Sequence, residues 1–357
     1  TTKTKIPHKI RYKGTFLFPY IKKGGIMKKI LTFVCACLLC LTSCICFVGC
    51  KDKSEPGVIR LNEVTHSVFY APLYLAINLG YMEEQGITIE LTNGGGSDAS
   101  MTALLSGNAD MALMGPETVV YVEAAGSTNH PVVFGQLTKK DGCFLISKTP
   151  IDNFGFATHL LGKTAIIGRQ GGMPAMTFEW ICNNSGVYNG TNVTLDKSTA
   201  FNMMASVYDS TDVEFCTMFE PTASEYVAAG KGYYVASVGE YSGEIPYTCF
   251  MAYPSYIQNN REQVVGFLTA NKKAYLYLTT QPSSEVAKAL KPSFDGTSEA
   301  SLAAAVEKYI EIDAWSSSPA MSKDSYTRLL SVLKNAGTLS TDVEFSKVVD
   351  NSIANEI

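Results

Sequence analysis

Glycine runs, carboxylates and one arginine recur in this sequence at the step from a predicted strand into a predicted helix. Gly94-Gly95-Gly96-Ser97-Asp98, Gly115-Pro116-Glu117-Thr118 and Gly168-Arg169-Gln170-Gly171-Gly172-Met173 are three such steps, Thr65 to Tyr70 after the first predicted strand is a fourth, and Glu220 stands at a predicted helix start in Phe219-Glu220-Pro221. Backbone N–H groups at helix starts favour acceptor atoms on a ligand. Glu117 and Glu220 would face donors, and Arg169 would meet an anion. Each has a plainer reading: flexible turns, helix-start signals with Glu117 as a favourable first-turn charge, a solvated Glu220, and Arg169 paired with a surface acid. Aromatics add a stacking surface, since the chain has 19 Tyr and 17 Phe but two Trp. Phe69, Tyr70 and Tyr74 cluster after the first strand, and Tyr74 at helical spacing reads as core.

Other chemistries are poorly supplied. The body holds three histidines, His66, His130 and His159, without metal-ligand spacing. Cys143, Cys182, Cys216 and Cys249 are isolated and read as buried apolar residues. Gly162-Lys163-Thr164 mimics the end of a P-loop, but Ala157 stands where its first glycine is needed. No cofactor and no metal is expected. Residues 1–50 carry nine Lys/Arg and no acid, which leaves 20 basic and 33 acidic residues in the other 307, a net of −13. A body that acidic argues against nucleic-acid binding.

The elements that must hold these residues alternate. Strand signals at Val58–Val64, Ile87–Leu91, Asp110–Met114, Val132–Leu137 and Cys143–Ser147 are separated by helices opening at Pro72, at Ser97 or Asp98, and at Pro116. The pattern restarts with strands at Thr164–Gly168, Val193–Leu195, Val213–Phe219 and Tyr233–Val238, and with helices opening at Pro174, Ala200 and Pro221. From Asn259 onward the pattern is helical. The expectation is an α/β protein with a mostly parallel sheet flanked by helices in each of two units. The predicted division places residues 57–143 and 248–357 in the first unit and 144–247 in the second.

The N-terminal stretch reads as an address. Met27-Lys28-Lys29 precedes 19 uncharged residues, Ile30 to Val48, and then Gly49-Cys50 before an abruptly polar segment. That pattern fits a bacterial lipoprotein signal with Cys50 as the lipidated residue. Leu41-Thr42-Ser43-Cys44 is the competing cut, and an uncleaved transmembrane anchor is the other reading. Residues 1–26 read as leader translated upstream of a true start at Met27, so that residues 1–49 would be absent from the mature protein.

Three phrases carry a resemblance. Ala71-Pro72-Leu73-Tyr74-Leu75-Ala76, Gly80-Tyr81-Met82-Glu83-Glu84-Gln85-Gly86-Ile87 and Ala103-Leu104-Leu105-Ser106-Gly107-Asn108-Ala109-Asp110 resemble the opening of the solute-binding proteins of nitrate, sulfonate, taurine and thiamine-precursor ABC importers. These are related to the yeast thiamine-pyrimidine synthase. Gly162-Lys163-Thr164 with Gly168 to Pro174, and then Phe219-Glu220-Pro221, are similar to that family's second lobe. The resemblance spans about 58–340. It implies a two-lobed periplasmic-binding-protein-like fold of type II that closes on a ligand by a hinge. It also implies a monomeric, extracytoplasmic, lipid-anchored receptor serving an ABC permease and ATPase, and not an enzyme. The ligand-binding residues expected on this basis are Phe69, Tyr70, Gly95, Gly96, Ser97, Gly115, Glu117, Thr118, Arg169, Gly171, Gly172, Met173, Glu220 and Tyr247. Tyr70 falls where the synthase keeps its reactive histidine, and His66 lies four positions early. The aromatic loop and the carboxylates favour a nitrogen heterocycle such as a thiamine-precursor pyrimidine. The alternatives are an alkylsulfonate, taurine or nitrate-type anion, and, in another class, a synthase-like enzyme.

Overall fold

The computed structural model describes residues 57–357, so the predicted leader, the signal segment and Cys50 lie outside the described residues. Ten strands and the helices between them build two five-stranded sheets. The first sheet has the order β2-β1-β3-β10-β4. Its strands are β1 (Val58–Glu63), β2 (Thr88–Asn93), β3 (Met111–Met114), β4 (Val132–Thr138) and β10 (Thr248–Ala252). The second has the order β7-β6-β8-β5-β9. Here the strands are β5 (Phe144–Ser147), β6 (Thr164–Ile166), β7 (Thr194–Asp196), β8 (Phe215–Met218) and β9 (Tyr233–Ser237). Helices α1 (Ala71–Asn78), α2 (Ser97–Leu105) and α3 (Glu117–Ala124) connect the early strands of the first sheet. In the second, α4 (Phe156–His159), α5 (Met173–Asn184), α6 (Met204–Asp209) and α7 (Thr222–Ala228) do so, and α8 (Val238–Ser242) lies on the crossover from β9 back to β10.

Both sheets are mixed rather than mostly parallel. β1 pairs in parallel with β2 and β3, but β10 runs antiparallel to both β3 and β4. In the second sheet β6 is parallel to β7 and β8, whereas β5 is antiparallel to β8 and β9. The cause is the same in each. β5 and β10 each follow a crossover from the other sheet, so each enters at the end where its neighbours finish. The strand Thr248–Ala252 is absent from the sequence reading because Thr-Cys-Phe-Met-Ala shows no alternation. All five residues are buried, as expected of a strand covered on both faces.

The remaining helices are α9 (Pro254–Asn259), α10 (Arg261–Thr280), α11 (Ser283–Leu290), α12 (Glu299–Glu311), α13 (Lys323–Asn335) and α14 (Phe345–Val348). α10 packs along α1, and α11 against α1 and α12. Val264, Leu268 and Leu278 of α10 are buried, and Phe267 meets the Phe250 ring edge-on at 4.7 Å between centroids. α13 reaches α5, where the Trp180 indole donates to the Ser331 hydroxyl at 3.1 Å. A separate apolar cluster under the second sheet is built on Leu145, Phe154, Phe156, Phe178 and Ile181. Cys143, Cys182, Cys216 and Cys249 are free and buried. No helix among the described residues is long and apolar enough to cross a membrane.

Candidate functional site

Parallel strands β1, β2, β3, β6 and β8 finish at one cavity of about 610 Å³. β1 delivers Val64, Thr65 and Ser67; β2 delivers Gly95 to Asp98; β3 delivers Gly115, Glu117 and Thr118. From the second sheet, β6 delivers Gly168 to Pro174 and β8 delivers Phe219. Tyr247 and Thr248 come from the crossover that returns to β10. Carboxyl ends of strands converging on a crevice are where open α/β sheets place ligands.

Twelve of the residues expected from sequence line this cavity: Tyr70, Gly95, Gly96, Ser97, Gly115, Glu117, Thr118, Arg169, Gly171, Gly172, Met173 and Tyr247. Phe69 does not line it. It is fully packed behind the wall, its ring 5.1 Å from Tyr309 and 5.6 Å from Phe219, and its carbonyl accepts from the Trp315 indole at 2.8 Å. Glu220 also lies outside the lining. Its carboxylate accepts from the Tyr234 hydroxyl at 2.5 Å and from the Ser224 N–H at 3.0 Å, so it is spent inside its own lobe. Burial nonetheless raises the Glu220 carboxyl above the ordinary range. Tyr74 is core, donating to Glu63 at 2.5 Å. His66 is not in the lining; it holds Glu63 at 2.8 Å and the Ser293 carbonyl at 2.7 Å. Those two bonds, the one to Glu63 foremost, raise its basicity.

Lining residues not individually expected include Met101, Tyr121, Val122, Phe219 and Thr248. Tyr121 and Val122 lie one helical turn beyond Glu117 and Thr118, so the i, i+4 period was the available signal. Thr248 carries no local signal, because its strand is buried throughout and shows no alternation.

Glu117 is the most unusual lining group. It is 5% exposed, and its Oε2 is buried with no hydrogen-bond partner. Burial pushes its carboxyl up to about 7, against the pull of its own N–H, the Ser97 hydroxyl and Arg169. The carboxyl lies against Gly115: a Cβ there would fall 2.0 Å from Oε2 and 2.4 Å from Oε1. Glycine at 115 is thus required by close approach, not by backbone angle. Gly171, by contrast, sits at φ +78°, a left-handed turn that glycine adopts freely. The Thr118 hydroxyl donates to the Gly115 carbonyl at 2.8 Å and fixes the helix start.

Cations are scarce around the cavity. Arg169 is the lining residue that carries positive charge, and it pairs with Asp98 at 3.0 Å across the cavity mouth. Both partners are more than half exposed. Tyr70 is buried, and burial drives its phenol upward while the adjacent Thr248 hydroxyl pulls the other way. Among the described residues no three His, Cys, Asp or Glu side chains gather as metal ligands. The wall combines the rings of Tyr70, Tyr121, Phe219 and Tyr247 with the polar side chains of Thr65, Ser67, Ser97, Thr118, Gln170 and Thr248, and Glu117 brings to it a buried oxygen without a partner.

Comparison with known proteins places this geometry in a family. A family model described as NMT1/THI5 like matches residues 68–285. The chain is 33% identical over 322 residues to YtlA of Bacillus subtilis (strain 168), a candidate binding protein, covering 90% of this chain and 96% of that one. Among solved structures, the periplasmic aliphatic sulphonate binding protein SsuA of Escherichia coli superposes with a TM-score of 0.66 at 13% identity, over 83% of this chain and 92% of the other. The alkanesulfonate-binding SsuA of Xanthomonas axonopodis pv. citri, bound to MOPS, gives 0.64 at 16% identity, over 83% and 99%.

Proposed function

We propose, since the chain belongs to the NMT1/THI5-like family, that it is the extracytoplasmic solute-binding component of an ABC importer. Capture is by closure of two lobes on a small solute, with no chemical step. The mature protein would begin at Cys50, held to the membrane by lipid, and would hand its ligand to a permease driven by an ATPase. The favoured solute is a nitrogen heterocycle bearing N–H donors, such as a thiamine-precursor pyrimidine.

The observation that carries the ligand class is the buried, unpartnered oxygen of Glu117 in a cavity walled by Tyr70, Tyr121, Phe219 and Tyr247. A buried carboxylate without a partner is costly, and a ligand donor relieves that cost. A sulfonate would bring its negative charge beside Glu117, which repels it wherever that carboxyl is ionised, and the one lining cation, Arg169, is held by Asp98. The engagement of His66 with Glu63 and Ser293, away from the lining, supports a binder over a synthase-like enzyme.

A thermal-shift screen tests this reading. A ligand at 100 times its dissociation constant stabilises by about 2.7 kcal/mol. Aminopyrimidines are expected to raise the unfolding temperature, and taurine and alkylsulfonates are not. The reverse pattern would sink the heterocycle assignment in favour of an anion receptor.

A further inference from the structure

Resting on the heterocycle reading, we infer that Glu117 recognises an amidine-type edge, a ring nitrogen beside an exocyclic amine, and that the complex holds a single proton shared between the carboxyl and that ring nitrogen. Such an edge offers one acceptor and one donor side by side. A carboxyl group carrying one proton offers the complementary pair. The two hydrogen bonds are O–H to ring nitrogen and amine N–H to carboxyl oxygen, and moving the proton onto the ring leaves both in place.

The surroundings of Glu117 fit this demand. Oε2 is buried and unpartnered. The groups that face the carboxyl are the Ser97 hydroxyl from α2, the Tyr70 phenol, the Tyr121 phenol one turn along α3, the Cys249 thiol from β10, and Arg169 from the other lobe. Arg169 is engaged by Asp98 at the mouth. The absent Cβ of Gly115 lets the carboxyl rest against the chain, so it is a built part of the wall. Its carboxyl titrates near 7, so it can carry the proton at neutral pH.

A consequence follows in the sign of the pH dependence. Above the pKa of both partners, a bare carboxylate oxygen would face the lone pair of the ring nitrogen. Binding must then take up one proton, and the association constant falls about tenfold per pH unit. A ligand presenting a permanent ammonium group would behave oppositely, gaining affinity as Glu117 ionises.

The test is calorimetric titration of the full chain with 4-amino-2-methylpyrimidine from pH 6 to 9, in two buffers of different ionisation enthalpy. The dissociation constant is expected to rise about tenfold per unit above about pH 7.5, with one proton taken up per ligand bound. In Glu117→Gln the amide supplies a permanent donor and acceptor, so binding should persist with a flat pH profile. Glu117→Leu should lose binding at every pH. A flat or rising wild-type affinity, or binding without proton uptake, overturns the shared-proton inference while leaving the heterocycle reading intact. No aminopyrimidine binding at any pH overturns both. Should Glu117→Gln fail to fold, the wild-type profile and proton count decide the matter alone.

Discussion

Gly115→Ala should separate ligand binding from stability. The backbone at 115 is not in the left-handed region, so alanine imposes no conformational strain there. Its Cβ, however, would lie 2.0 Å, 2.4 Å and 2.5 Å from Oε2, Oε1 and Cδ of Glu117. The backbone is held by its neighbours, whereas the glutamate side chain can rotate, so the carboxyl must leave its seat. A hydrogen bond to a charged group contributes about 1.5–3 kcal/mol, and each 1.4 kcal/mol is about tenfold in affinity. Aminopyrimidine binding should therefore weaken by roughly 10- to 150-fold. Stability should move the other way. Glu117 shifts from 4.5 to about 7 on burial, and at about 1.4 kcal/mol per unit, seating the ionised carboxyl costs up to about 3 kcal/mol at high pH. Releasing it relieves part of that cost, and once the carboxyl has moved aside, replacing glycine at a backbone conformation open to alanine adds about 0.4–1 kcal/mol. Titration calorimetry and thermal unfolding at pH 8 read both quantities. The reasoning fails if the variant binds as wild type does, or if it unfolds several degrees lower.

Three further outcomes are expected. Glu117, raised to about 7, Asp141, buried and raised to about 6, the raised Glu220 and the raised His66 all bind protons more tightly in the folded chain than in the unfolded one. Above about pH 5, where the carboxylates with lowered pKa values are ionised in both states, the folded state then holds more protons up to about pH 8, so unliganded stability should decline as pH rises through that window. Urea midpoints measured from pH 5 to 8 that rise instead would contradict this, and Asp141→Asn should reduce the slope. Arg169→Ala should change stability by less than about 1 kcal/mol, because its pair with Asp98 is exposed, and aminopyrimidine affinity should hold within a few-fold; a hundredfold loss would show that Arg169 contacts the heterocycle and is not spent on Asp98. Gly142→Ala should destabilise, since its Cβ would fall 2.7 Å from the Phe69 ring and 2.9 Å from Phe219. Overpacking of that kind costs about 1–3 kcal/mol, visible as a lowered unfolding midpoint, and an unchanged midpoint would mean that these rings are free to move.

The alternating elements were legible because each strand and helix carries its own period. Val58–Glu63 buries Ile59 and Leu61 completely, and β3 is a four-residue apolar run ended by Gly115-Pro116. What local pattern cannot show is direction. Thr248–Ala252 pairs with Met111–Met114 and Val132–Thr138, over a hundred residues upstream, and enters between them antiparallel. Nothing in five apolar residues encodes that partnership, so the mixed character of both sheets was out of reach. Tyr247 could be placed near the site because it lies at a crossover; Thr248, one residue on, could not be seen as the start of a strand.

The two candidate carboxylates show where site reasoning from sequence stops. Glu117 and Glu220 both sit beside a proline where a buried strand gives way to a helix, and local chemistry treats them alike. Their fates differ through one distant contact. Tyr234, on the strand after the next helix, reaches back to Glu220 at 2.5 Å, and that hydroxyl in turn meets Ser224 at 2.9 Å. Glu220 is thereby completed by its own lobe and has little to offer a ligand. For Glu117 the neighbouring phenols are otherwise engaged: Tyr121 donates to Thr338 at 2.9 Å, and Tyr70 lies beside Thr248. Its Oε2 is left without a partner at the cavity wall, where the Tyr247 hydroxyl is also unpartnered. A ligand site in this fold is therefore defined less by which polar residues reach the cleft than by which of them the rest of the chain fails to satisfy. That property depends on every long-range contact and emerges only once the chain is folded.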